Sequence, residues 1–102
     1  MSEKHYGVAV IGAGDRGTAY SKSWYSLPNV ELVTICDLIE ERRNRLKEQY
    51  GYKAAFEDYK EAIDRDDVDI VTVCVPAAIH AAVGTYAMQR GKPVLTEKPM
   101  DL

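Results

Sequence analysis

Cysteine, histidine and surplus basic charge are all scarce in this 102-residue chain, and each shortage closes off a class of function. The two cysteines, Cys36 and Cys74, lie inside apolar runs at a spacing that no zinc or redox motif uses. Each reads as a small buried thiol. The two histidines, His5 and His80, have no Cys or His neighbour at ligand spacing, so no metal site is expected. Thirteen Lys and Arg against sixteen Asp and Glu leave a net charge of -3. That argues against a nucleic-acid or acidic-membrane partner, because both select basic surfaces. No apolar run approaches the roughly 18 residues that span a bilayer, and "MSEKHY" has no signal-peptide core. The expected address is cytoplasmic. Repeats, linkers and low-complexity stretches are missing too.

What is present is alternation. "YGVAVIG" (Tyr6 to Gly12) is an almost wholly apolar run, as in a strand buried on both faces. Tyr20, Trp24 and Leu27 then fall at i, i+4 and i+7, one face of a helix that Pro28 ends. "VELVTICD" (Val30 to Asp37) is a β-branched second strand. "LIEERRNRLKEQYG" follows as a charged helix with Ile39, Leu46 and Tyr50 inward and Gly51 as its C-terminal cap. "YKAAF" (Tyr52 to Phe56) is a weaker strand. Asp58 and Glu61 open a short helix carrying Tyr59, Ala62 and Ile63. "VDIVTVCV" (Val68 to Val75), a helix from about Ala78 to Arg90 with Ile79, Val83, Tyr86 and Ala87 inward, and "PVLTE" (Pro93 to Glu97) complete the series. Five strands alternating with helices predict an α/β domain, a doubly wound parallel sheet in the order 3-2-1-4-5. That order puts Cys36 and Cys74 about two strand spacings apart, roughly 9–10 Å, too far for a disulfide.

The chemistry concentrates at "GAGDRG", where Gly12, Gly14 and Gly17 follow a strand and open a helix. Asp37 stands twenty residues after Gly17 at the end of the next strand. This is the dinucleotide-binding fingerprint in its proper context. Gly12 permits the tight turn, Gly14 lets a pyrophosphate approach the backbone, and Gly17 lets the helix sit close to the sheet. Around them, Asp15 and Arg16 sit in the helix's first turn, whose unpaired N–H groups and positive dipole end attract phosphates. Asp37 can accept from both hydroxyls of the adenine ribose and would repel a 2′-phosphate, so NAD is favoured over NADP. Arg42 or Arg43, one turn into the next helix, is within reach of a 2′-phosphate; the commoner use of such residues is a solvated face beside Glu40 and Glu41.

A strand ending in "VPAAIH", a helix ending in "RGKP" and a strand ending in "EKP", together with the glycine loop, resemble the N-terminal half of the Gfo/Idh/MocA oxidoreductases. The resemblance runs from Tyr6 to Met100 and implies a Rossmann-type domain that binds NAD. It also implies a sugar, polyol or related hydroxy compound as substrate. By it, Lys98 is the active-site lysine beside the nicotinamide, able to hydrogen-bond an oxygen that gains negative charge and to relay its proton. Glu97 would contact the nicotinamide ribose or fix Lys98, and the family suggests a cis bond before Pro99. Val75, Pro76 and His80 would shape the cofactor site. Where the family often has Thr-Pro-Asn, this chain has Val75, Pro76 and Ala77, with fewer polar contacts to offer.

Family members continue into a substrate domain, so residues 1–102 are expected to be an incomplete cofactor domain that binds without turnover. A sheet stopping at the fifth strand is expected to self-associate into a homo-oligomer. Two alternatives stand beside the dehydrogenase reading. One is a non-catalytic dinucleotide-binding module. The other is an NAD-dependent glycosidase, because Asp15-Arg16 within "GAGDRG" is reminiscent of the relatives that oxidise a sugar transiently.

Overall fold

The computed structural model describes residues 5–96. Its strands form where the apolar runs are. They are β1 (Tyr6–Ile11), β2 (Val30–Cys36), β3 (Ala54–Phe56), β4 (Ile70–Val73) and β5 (Val94–Thr96). Between them lie α1 (Asp15–Tyr25), α2 (Glu40–Tyr50), α3 (Tyr59–Ile63) and α4 (Ala77–Gln89). All pairings are parallel and the order is β3-β2-β1-β4-β5, as expected.

β1 is buried along almost its whole length, and its side chains alternate between two cores. Val8 and Val10 join Leu32, Ile35 and Leu46 on the side of α1 and α2. Ala9 and Ile11 join Val71, Val73, Ile63 and Val83 on the side of α3 and α4. One irregularity sits in β2. Val8 pairs with Leu32 but Ala9 pairs with Thr34, which leaves Val33 as an extra residue in a β-bulge. Both Val33 and Thr34 consequently serve the α3 side: Val33 packs in that core and the Thr34 hydroxyl donates to the Ala62 carbonyl at 3.1 Å.

Three apolar residues expected to face inward do not. Leu27, Ile39 and Ile79 are 45%, 47% and 40% exposed. Leu27 lies beyond the end of α1, Ile39 is the N-cap of α2, and Ile79 sits in the first turn of α4, where the chain has not yet reached the sheet. The buried residues of α1 are Gly17 and Ser21, with Trp24 half-buried. A side chain at Gly17 would put its Cβ 1.8 Å from the Gly12 carbonyl oxygen, so α1 rides on the glycine turn itself. Ser21 donates to the Gly17 carbonyl and takes a hydrogen bond from the buried Tyr52 hydroxyl at 2.6 Å. Trp24 donates through Nε1 to Thr72 at 3.0 Å, satisfying a hydroxyl in the middle of β4.

The element ends also differ from the sequence reading. β3 begins at Ala54 because Tyr52 turns into the core, and β4 is confined to Ile70–Val73. Asp58 does cap α3, but its side chain accepts from the Lys60 amide at 2.9 Å. Cys36 and Cys74, on either side of β1, are not joined in a disulfide.

Candidate functional site

A doubly wound sheet opens a crevice where neighbouring strands send their chains to opposite faces. Here that happens between β1, which continues into α1, and β4, which continues into α4. A cleft of about 770 Å³ lies at the carboxyl ends of these strands. On the β1 side it is lined by Gly12, Gly14, Asp15 and Arg16, with Asp37 and Arg42 contributed from beyond β2. Val75, Pro76 and His80 line the β4 side. The cleft thus gathers the expected site residues except Gly17, which lies beneath the loop, and Glu97 and Lys98, which lie outside the described residues, as does the Lys98–Pro99 bond.

Each glycine has a distinct reason to be there. Gly12 has φ +107°, a conformation costly for any L side chain, and its Cβ would meet the Cys74 carbonyl oxygen at 2.4 Å. Its amide donates to the Cys36 carbonyl at 2.7 Å, continuing the ladder one step past β1. Gly14 differs: its φ is −81°, and a Cβ there would meet only Arg42 Nη1 at 3.8 Å. Space above Gly14 is therefore open to a ligand, as the pyrophosphate of a dinucleotide requires. Helix α1 starts at this point with no side-chain cap, and α4 likewise starts at Pro76 without one. Both helix N-termini aim their first-turn N–H groups towards the cleft end of the sheet.

Asp37 is held from several sides. Its Oδ2 accepts from the Ala13 amide at 2.7 Å and its Oδ1 from the Ile39 amide at 2.8 Å. The Arg43 guanidinium donates to the Asp37 carbonyl at 3.0 Å. Arg43 is thereby committed to the backbone, while Arg42 borders the cleft and, with Arg45, Glu41 and Asp15, a second polar hollow beside Gly14. His80 is half-buried, its amide bonded to the Pro76 carbonyl at 3.0 Å within the first turn of α4.

Sequence reasoning missed Cys74, Ala77, Ala81 and Thr96, which complete the lining. The signal was positional: Cys74 follows β4 directly and Thr96 ends β5, both at the carboxyl ends where a doubly wound sheet binds ligands. The two thiols differ in setting. Cys36 is buried, and desolvation with the nearby Asp37 pushes its thiol up to about 12. Among the described residues no group of three or more His, Cys, Asp or Glu could hold a metal ion. No helix among them is long and apolar enough to cross a membrane.

Comparison with known proteins points the same way. Residues 6–102 match the family described as "Oxidoreductase family, NAD-binding Rossmann fold". The chain is 34% identical to glycosyl hydrolase family 109 protein 1 of Bacteroides thetaiotaomicron, over 90% of this chain and 22% of that protein. It superposes with a TM-score of 0.89 on GenD2 from gentamicin A biosynthesis in complex with NAD, at 31% identity over 95% of this chain and 28% of that one. It superposes with a TM-score of 0.86 on a variant of KijD10, a 3-ketoreductase from Actinomadura kijaniata in complex with TDP-benzene and NADP. There the identity is 33%, over 94% of this chain and 31% of that one. The chain therefore spans between about a fifth and a third of the length of the proteins it matches.

Proposed function

Because the chain belongs to the Gfo/Idh/MocA oxidoreductase family, with its NAD-binding Rossmann fold, we propose that its cleft serves redox chemistry on a sugar, polyol or related hydroxy compound. The observation that carries this reading is the open space over Gly14, between an uncapped helix N-terminus and the Asp37 carboxylate. The residues fit a dinucleotide. Gly14 and the first turn of α1 would take the pyrophosphate and Asp37 the adenine ribose, while Val75, Pro76 and His80 would flank the nicotinamide half. When bound, the cofactor accepts or returns a hydride at its nicotinamide ring. The carboxylate at Asp37 favours NAD over NADP, since a 2′-phosphate would meet like charge.

Lys98 is the residue we assign to the reacting oxygen. β5 ends at Thr96, which lines the cleft two residues before it in sequence. A neutral amine there would take the hydroxyl proton as hydride leaves carbon and pass it on to solvent; in the reverse direction its ammonium form would stabilise the oxygen that gains negative charge as hydride arrives and give it the proton. Self-association belongs to the same reading, supported by β5 lying at an edge of the sheet among the described residues, with Leu95 exposed. Light scattering across a concentration range checks it.

The experiment is calorimetric titration of the protein with NAD and with NADP, repeated on Gly14→Ala. NAD is expected to saturate and NADP to bind at least about tenfold more weakly. Gly14→Ala should leave stability within about 0.5 kcal/mol and abolish NAD binding. Equal affinity for the two cofactors would remove Asp37 as the discriminator, and unchanged binding by Gly14→Ala would remove the loop as the phosphate site.

A second reading, NAD-dependent glycoside cleavage, is favoured by the glycosyl hydrolase family 109 relative at 34% identity. In that case a sugar substrate would lose its leaving group with no net NADH, which absorbance at the reduced-nicotinamide band distinguishes from dehydrogenation.

A further inference from the structure

A carboxylate carries about four lone-pair sites, and two of those at Asp37 are already in use without a ligand. One oxygen holds the amide of Ala13, between the first two glycines; the other holds the amide of Ile39, the residue that starts α2. Asp37 is the side-chain acceptor for both amides. Ala13 is itself wholly buried, so its N–H would lack a solvent partner if the carboxylate withdrew.

We propose that Asp37 is a positioning residue as well as a ribose contact: it straps the glycine loop to the start of α2 and sets the loop's shape before any cofactor arrives. This rests on the dinucleotide reading given above and extends it. The two remaining lone-pair sites, one on each oxygen, match the two ribose hydroxyls in number, so strap and ligand contact coexist on one side chain. The strap reaches Arg42 too, because the Arg42 amide bonds the Ile39 carbonyl at 3.1 Å and the Arg42 guanidinium overhangs Gly14. Selectivity and loop order therefore depend on the same carboxylate. Replacing it to admit a 2′-phosphate also loosens the pyrophosphate site. Asparagine cannot substitute, because a carboxamide has one acceptor oxygen and would turn its NH2 towards one of the two amides.

The test compares the protein with Asp37→Asn by amide hydrogen exchange without cofactor, then by calorimetry with ADP and with 2′,3′-dideoxy-ADP. The strap predicts Ala13 exchange faster by about tenfold or more in Asp37→Asn, with amides of β1 and β2 unchanged. It also predicts weaker binding of both nucleotides. Dideoxy-ADP cannot report a ribose hydroxyl contact, so loss there isolates the loop. Unchanged Ala13 exchange, with loss confined to ADP, would overturn the proposal and leave Asp37 a ribose contact only. Should Asp37→Asn fail to fold, the unmodified protein decides: an Ala13 amide exchanging at the free-peptide rate beside protected β1 amides overturns the strap. Failure of the unmodified protein to bind NAD or ADP would refute the dinucleotide reading and leave the exchange result standing.

Discussion

At the amino ends of the strands, charged side chains tie each loop to its neighbour; at the carboxyl ends, the turns that open α1 and α4 are left to glycine and proline, and Asp37 straps the glycine loop from β2. The Asp69 carboxylate accepts from the Gly7 amide at 2.8 Å while the Asp69 amide donates to the Gly7 carbonyl at 2.7 Å. Arg65 grips Asp67 with two hydrogen bonds of 2.9 Å, and Lys53 bridges Glu31 and Asp67. Lys92 donates through Nζ to the carbonyls of Ile63 and Arg65, closing the end of α3. On the opposite end, α1 and α4 begin without side-chain caps. The short helix α3, at the far edge beside β3, shows that the difference is one of site: it begins at the same end but carries its own cap, Asp58. Groups far from the cleft are satisfied within the chain. The first-turn amides of α1 and α4 beside it are given no side-chain cap.

The sharpest way to break this contrast is to put methyl groups at glycines of both ends. Gly17→Ala and Gly7→Ala each place a Cβ 1.8 Å from a backbone oxygen, that of Gly12 or of Asp67. Both should cost at least about 3 kcal/mol in denaturant titration, although only Gly17 belongs to the fingerprint. A smaller effect is expected from Asp58→Ala, about 1 kcal/mol through loss of the α3 cap, with NAD binding unaltered. A cofactor defect in that variant would show that capping and ligand binding are not separate.

Smallest is a pH effect at the amino end. Arg65 beside Asp67 holds its carboxyl down at about 2. The folded form stays ionised where the unfolded chain takes up a proton, so this contribution is present above pH 4 and is lost as pH falls towards 2. The pair is partly open to solvent, so the loss should be slight and should shrink with added salt. Denaturation midpoints at pH 6 and pH 2.5 should differ less for Asp67→Asn than for the unmodified protein.

The strands, their order and the glycine loop were legible because they rest on local signals: apolar runs, chain alternation and a fixed spacing. Helix faces were less legible. Reading Tyr20, Trp24 and Leu27 as a stripe favoured bulk, whereas the closest approach of α1 to the sheet is made by Gly17 and Ser21. Gly7 gave no sign of its role, since the Asp67 carbonyl that forbids a side chain there comes from sixty residues along the chain. Asp37 was found for its charge and its distance from the glycines. Its grip on Ala13 and Ile39 depends on how β1 and β2 lie side by side, which spacing alone does not contain.

The bulge at Val33 has a bearing on that placement. Leu32 and Ile35 are three residues apart yet share one core, which an unbroken pleat forbids. Val33 acts as a parity switch: every side chain after it in β2 is turned to the face opposite the one that regular alternation would give. A one-residue deletion at Val33 would thus restore the regular pleat, leaving Thr34, Ile35 and Cys36 opposite Ala9, Val10 and Ile11 and Asp37 beside the glycine loop, at the cost of the Val33 side chain in the α3-side core. Homologous chains without the extra residue would keep the acid at the same place in the sheet, nineteen rather than twenty residues after the third glycine.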